Sequence, residues 1–123
     1  MKKILLIDDE ELVLKSITKL LEKEGYEVEA CPSGERAMEK ARKKNFDLIV
    51  CDLRMPKPDG IETLKSIRSL FREKKCAAPE IVITGYTDER TNQEVEKLRV
   101  AEYLLKPFDL REFLAAVRKA LKT

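Results

Sequence analysis

Five residues of this chain are of the right types to accept and hold a phosphoryl group: Asp8, Asp9, Asp52, Thr84 and Lys106. They are scattered in sequence, yet each stands just after a short run rich in branched apolar side chains: KILLI at 3–7, DLIVC at 47–51, EIVI at 80–83 and EYLL at 102–105. Such runs are the pattern of strands buried on both faces of a parallel sheet. The carboxyl ends of those strands are where open α/β sheets bind ligands. With the first and third strands adjacent, the Asp8/Asp9 pair sits beside Asp52 and three carboxylates converge.

Two carboxylates about 4 Å apart repel by about 4 kcal/mol at an effective dielectric near 20, so such a site calls for cations. Lys106 is one, and a set of hard oxygen donors suits Mg²⁺ or Mn²⁺ better than zinc. A carboxylate beside a metal, an ammonium and a hydroxyl is equipped for phosphoryl transfer. Asp52 is an ionised nucleophile that needs no general base, Lys106 and the metal neutralise phosphoryl oxygens, and Thr84 hydrogen-bonds the product. The chain has no histidine, which excludes histidine triads, histidine metal sites and a role as the histidine-bearing phosphodonor.

The elements that must position these residues are legible between the apolar runs. Residues 26–31, YEVEAC, alternate apolar and polar as a half-exposed edge strand does. Val13, Ile17, Leu20 and Leu21 fall at helical spacing, with Gly25 as a left-handed stop. Ser33 is placed to cap a helix carrying Ala37, Met38 and Ala41. Asp59 with Glu62, and Asp109 with Glu112, have the spacing of capping boxes ahead of two further amphipathic stretches. Residues 88–99 offer mainly Val95 and Leu98 for burial, which predicts the least stable helix of the chain. Strict strand–helix alternation implies an open parallel sheet covered on both faces, with only residues 73–80 forming a longer surface loop.

At 123 residues the chain suits one domain spanning 1–123. Its 25 basic and 23 acidic residues provide neither the positive field of a nucleic-acid binder nor an acidic tail. Direct nucleic-acid binding is therefore not expected. Cys31, Cys51 and Cys76 are odd in number and lack CxxC spacing, so they read as reduced thiols rather than a disulfide framework or zinc site. No leader and no apolar run of about 18 residues is visible, so a cytoplasmic protein without a membrane span is expected.

Four motifs in order, IDDE at 7–10, CDLRMPKPDG at 51–60, ITGY at 83–86 and YLLKPF at 103–108, resemble those of the response-regulator receiver (CheY-like) family over essentially the whole chain. The resemblance implies a flavodoxin-like (βα)5 doubly wound sheet in strand order 2-1-3-4-5, an order that periodicity alone does not supply. It implies that Asp52 is the phosphoacceptor of a two-component phosphorelay and a phosphoprotein site. Asp8, Asp9 and the backbone carbonyl of Arg54 become metal contacts, Thr84 the switch hydroxyl and Lys106 the phosphate-contacting lysine. Tyr103 becomes the aromatic that follows Thr84, and the Lys106-Pro107 bond is expected to be cis. Arg54 and Tyr86 flank the phosphate and are expected to tune how fast water reaches it. The implied donor is a sensor histidine kinase or a histidine phosphotransfer protein. Downstream effectors, or a second copy in a homodimer, would meet the surface of the fourth helix, fifth strand and fifth helix. The domain is expected to be no enzyme beyond its own phosphorylation and dephosphorylation.

Taken singly, these residues have plainer readings. Asp8 and Asp9 could cap a helix, Lys106 could be a solvated lysine, Thr84 a turn residue and Tyr103 sheet packing. Cys51, next to Asp52, should point to the opposite face as core. Two other functions remain open at this level. One is a small Mg-dependent phosphatase-like hydrolase, which would need a second acid to activate water. The other is a pseudo-receiver that binds partners without phosphorylation, which would be marked by a missing acid or lysine.

Overall fold

A computed structural model describes residues 1–122. Strands β1 (Lys3–Ile7), β2 (Glu27–Cys31), β3 (Leu48–Asp52), β4 (Glu80–Thr84) and β5 (Glu102–Leu105) alternate with helices α1 (Glu11–Lys23), α2 (Gly34–Lys43), α3 (Gly60–Glu73), α4 (Glu89–Leu98) and α5 (Leu110–Leu121). All strand pairs are parallel, in the order β2-β1-β3-β4-β5. This is the doubly wound flavodoxin-like arrangement, and β1 does lie beside β3.

Alternation along the central strands feeds two cores. Leu5, Ile7, Ile49, Cys51 and Val82 pack on one face with Ala37, Leu64, Ile67 and Val95 of α2, α3 and α4. Ile4, Leu6, Leu48, Val50, Ile81 and Ile83 pack on the other with Ile17, Leu21, Phe113 and Val117 of α1 and α5. Each fully buried branched side chain contributes about 1.5–3 kcal/mol of transfer free energy, so the three central strands are the stable part of the molecule. β2 is the half-exposed edge strand expected from its alternation.

The caps largely form as the spacing predicts. Ser33 accepts from the Arg36 N–H, and Asp59 and Glu62 make the reciprocal capping box of α3. Asp109 caps α5 one position earlier than a box requires, accepting from the Arg111 N–H at 2.7 Å. Gly25 has φ 91°, the left-handed turn that ends α1. Gly60 serves a different need: a Cβ there would come within 2.3 Å of the Asp52 carbonyl oxygen, so only glycine lets α3 start against the end of β3. α4 buries only Val95 and Leu98.

At the opposite end of β4 from Thr84, Glu80 is 3 % exposed. Arg68 of α3 grips it with two guanidinium nitrogens, Nε donating to Oε2 at 2.6 Å and Nη2 to Oε1. None of the described helices is long and apolar enough to cross a membrane.

Candidate functional site

The carboxyl ends of β1, β3, β4 and β5 bring Asp8, Asp52, Thr84 and Lys106 to one edge of the sheet. Asp8, Asp52 and Thr84 are buried. Lys106 is held in register by its own N–H, which donates to the Thr84 carbonyl at 2.8 Å, and is followed by a cis bond to Pro107. A second cis bond, Lys57-Pro58, lies in the loop after Asp52.

The Lys106 ammonium reaches three carboxylates: Asp8 Oδ2 at 3.1 Å, Asp52 Oδ2 at 3.3 Å and Glu10 Oε1 at 3.4 Å. Carboxylate oxygens of Asp8, Glu10 and Asp52 all lie within 4.8 Å of one another. Asp9 is exposed and stands outside this group, and Glu10, which the sequence reading passed over, takes its place. The missed signal was alternation. Chain that stays extended after a strand sends residues 8 and 10 to one side and residue 9 to the other, and Glu10 has φ −90° and ψ 112°. Asp8 is further fixed by the Glu10 N–H, which donates to its Oδ1 at 2.9 Å.

Burial raises the Asp52 pKa above the ordinary carboxylate value, and the Asp8 charge adds to the rise. The Arg54 N–H, donating to Oδ1 at 3.1 Å, and the Lys106 ammonium oppose it. For Lys106, burial works against the charged form, but the Asp52 and Asp8 carboxylates outweigh it and raise the pKa. Three carboxylates against one ammonium leave an excess of two negative charges. That excess, the oxygen-only donor set and the spacing fit a divalent Mg²⁺ or Mn²⁺ ion.

The switch residues are tied down away from the carboxylates. The Thr84 hydroxyl donates to the Tyr86 carbonyl at 2.8 Å and accepts from the Tyr86 N–H at 3.2 Å. The Tyr103 hydroxyl donates to Asn92 Oδ1 of α4 at 2.8 Å and contacts Thr87 Oγ1 at 3.2 Å. Arg54 and Tyr86 meet each other, the guanidinium carbon lying 4.5 Å from the ring centroid. Cys51 is core: its Sγ lies 3.2 Å from the Asp52 carbonyl oxygen, and burial pushes its thiol well up.

Residues 4–118 match the family model described as response regulator receiver domain. The chain belongs to that family. It is 38% identical over 118 residues to the transcriptional regulatory protein ZraR of Escherichia coli K12, covering 96% of this chain and 26% of that protein. It is 37% identical over 121 residues to the alkaline phosphatase synthesis transcriptional regulatory protein PhoP of Bacillus subtilis, covering 98% and 49%. The chain thus spans about a quarter to a half of the length of these relatives. Among solved structures, the chemotaxis protein CheY4 of Vibrio cholerae matches with a TM-score of 0.88 and 31% identity, covering 98% of this chain and 99% of that one. The response regulator TrrA of Thermotoga maritima, solved in complex with Mg²⁺-BeF, matches with a TM-score of 0.80 and 32% identity, covering 98% and 100%. Receiver domains are the phosphoacceptor modules of two-component signalling, and the acidic cluster found here is the pocket at which they bind Mg²⁺.

Proposed function

We propose that residues 1–123 act as a single cytoplasmic receiver domain in which Asp52 takes a phosphoryl group from a phosphohistidine. The donor is a sensor histidine kinase or a histidine phosphotransfer protein. The observation that carries this reading is the Lys106 ammonium bridging Asp8 and Asp52 amid an uncompensated double negative charge. The Mg²⁺-BeF complex of the related TrrA supports a metal at the corresponding place. Asp8, Glu10 or Asp9, Asp52 and the Arg54 carbonyl would hold the ion, which when bound supplies neutralisation of phosphoryl oxygens.

In the transfer, an Asp52 carboxylate oxygen attacks phosphorus in line, the bond to the donor imidazole nitrogen breaks, and the imidazole leaves with that electron pair. Lys106 stabilises charge on the equatorial oxygens. A phosphoryl oxygen then competes with the Tyr86 backbone for the Thr84 hydroxyl. As Thr84 turns inward, Tyr103 exchanges its bonds to Asn92 and Thr87 for the vacated space, and the face of α4, β5 and α5 changes for an effector or a second copy. Beside Lys106, Leu12 at 79 % exposure and Leu110 at 55 % exposure form an apolar rim on which the donor protein can dock. The domain turns over no external phosphate ester.

Incubation with acetyl phosphate and Mg²⁺, read by intact mass, tests the assignment. Wild type should gain one phosphoryl group and Asp52→Asn none. No gain in wild type, or an equal gain in the variant, would overturn it.

A further inference from the structure

At the end of the sheet opposite Asp52, α3, the start of β4 and the turn before β5 enclose a cavity of about 450 Å³ that the phosphoryl chemistry leaves unused. Ile49, Ile67 and Phe71, all buried, provide its apolar floor. Three arginines face it, Arg68, Arg72 and Arg99, with Glu80 as the one carboxylate. Arg68 is committed to Glu80. Arg72, one turn further along α3, and Arg99, at the left-handed end of α4 with φ 53°, are exposed and have no acidic partner among the described residues.

A basic side chain at a helix end offsets the helix dipole, and that accounts for one arginine on each helix. It does not account for two arginines from different helices lining one apolar cavity. With Arg68 and Glu80 cancelling, the cavity carries two surplus positive charges over a greasy floor. Its volume lies within the roughly 300–1,000 Å³ usual for small-molecule sites. Guanidinium groups match carboxylate and phosphate oxygens through paired N–H donors.

We propose that this cavity binds a small organic anion, a carboxylate or phosphate carried on a single ring or branched apolar body. The body covers Ile67 and Phe71, and the anionic group takes the donors of Arg72 and Arg99. Because the cavity lies at the far end of the sheet from Asp52, its ligand and the phosphodonor do not compete for space.

Amide NMR on the full chain tests this with benzoate, phenyl phosphate and the neutral benzyl alcohol as probes. The anions should shift the amides of Arg72, Glu80 and Ala101 saturably, and benzyl alcohol should not. Tighter binding of phenyl phosphate identifies a phosphate ligand, and tighter binding of benzoate a carboxylate. Arg72→Gln and Arg99→Gln, both at exposed positions, should each weaken binding about tenfold, the loss expected for one charge-assisted hydrogen bond. Asp52→Asn should bind as wild type does. Equal binding of benzyl alcohol, unchanged affinity in both arginine variants, or no saturable shift at these amides would overturn the proposal.

Discussion

Arg54 and Tyr86 are two large side chains that meet over the phosphoacceptor, since the Arg54 N–H already touches Asp52 and its guanidinium stacks on the Tyr86 ring. A stacked pair obstructs water better than either residue alone, and an exposed cation–π contact is worth about 0.5–1 kcal/mol, a few-fold in a rate. Arg54→Ala and Tyr86→Ala should each speed loss of the phosphoryl group a few-fold. The double variant should gain less than the product of the singles, because either truncation already breaks the stack. Dephosphorylation followed by intact mass checks both statements. Asp52 itself makes a pH prediction. Its raised pKa means that the folded state holds this proton more tightly than the unfolded chain, so the ionised carboxylate costs stability. That cost is full above the folded pKa and gone below the ordinary value of 3.8. Asp52→Asn should therefore raise the melting temperature at neutral pH, with a gain that shrinks in acid. A gain independent of pH would contradict this. At this scale the sequence named Asp8, Asp52, Thr84 and Lys106 correctly as neighbours, because each ends a strand of one parallel sheet. It missed Glu10 because two adjacent acids were treated as a pair, when an extended backbone separates them to opposite sides.

The helices and strands were legible wherever one period dominated. β1, β3 and β4 read as continuous apolar runs because both faces are covered, and α3 announced itself through its capping box. The strand order was not legible, since nothing in a local period says which strand lies beside which; it came from the family resemblance. The cap of α5 also differs from expectation, because Asp109 finds the Arg111 N–H first. α4 is the element whose weakness was visible in composition: ten residues bury two side chains, and its side of the sheet is otherwise held by the polar contact of Asn92 with Tyr103. Hydrogen exchange should show the α4 amides opening at the lowest free energy of the five helices. Protection in α4 equal to that in α3 would remove the physical basis for a switch located there.

For the whole molecule, the carboxylate cluster makes stability depend on the ion it attracts. A ligand that binds only the folded state stabilises it by roughly 2.7 kcal/mol at a hundred times its dissociation constant. Saturating Mg²⁺ should therefore raise the unfolding midpoint of wild type visibly. The rise should be smaller in Asp52→Asn, which lacks one of the three clustered carboxylates. Denaturant unfolding with Mg²⁺ and with a chelator compares the two, and equal shifts would place the ion elsewhere. The grip of Arg68 on Glu80 bears on how any event at Asp52 spreads. β4 is a lever with a fixed foot: buried along its length, flanked by β3 and β5, and bolted to α3 at residue 80. Such a strand cannot recoil by sliding along its own axis when Thr84 is pulled at its tip. The displacement must go forward into residues 85–88, so the stillness of one end directs the motion of the other.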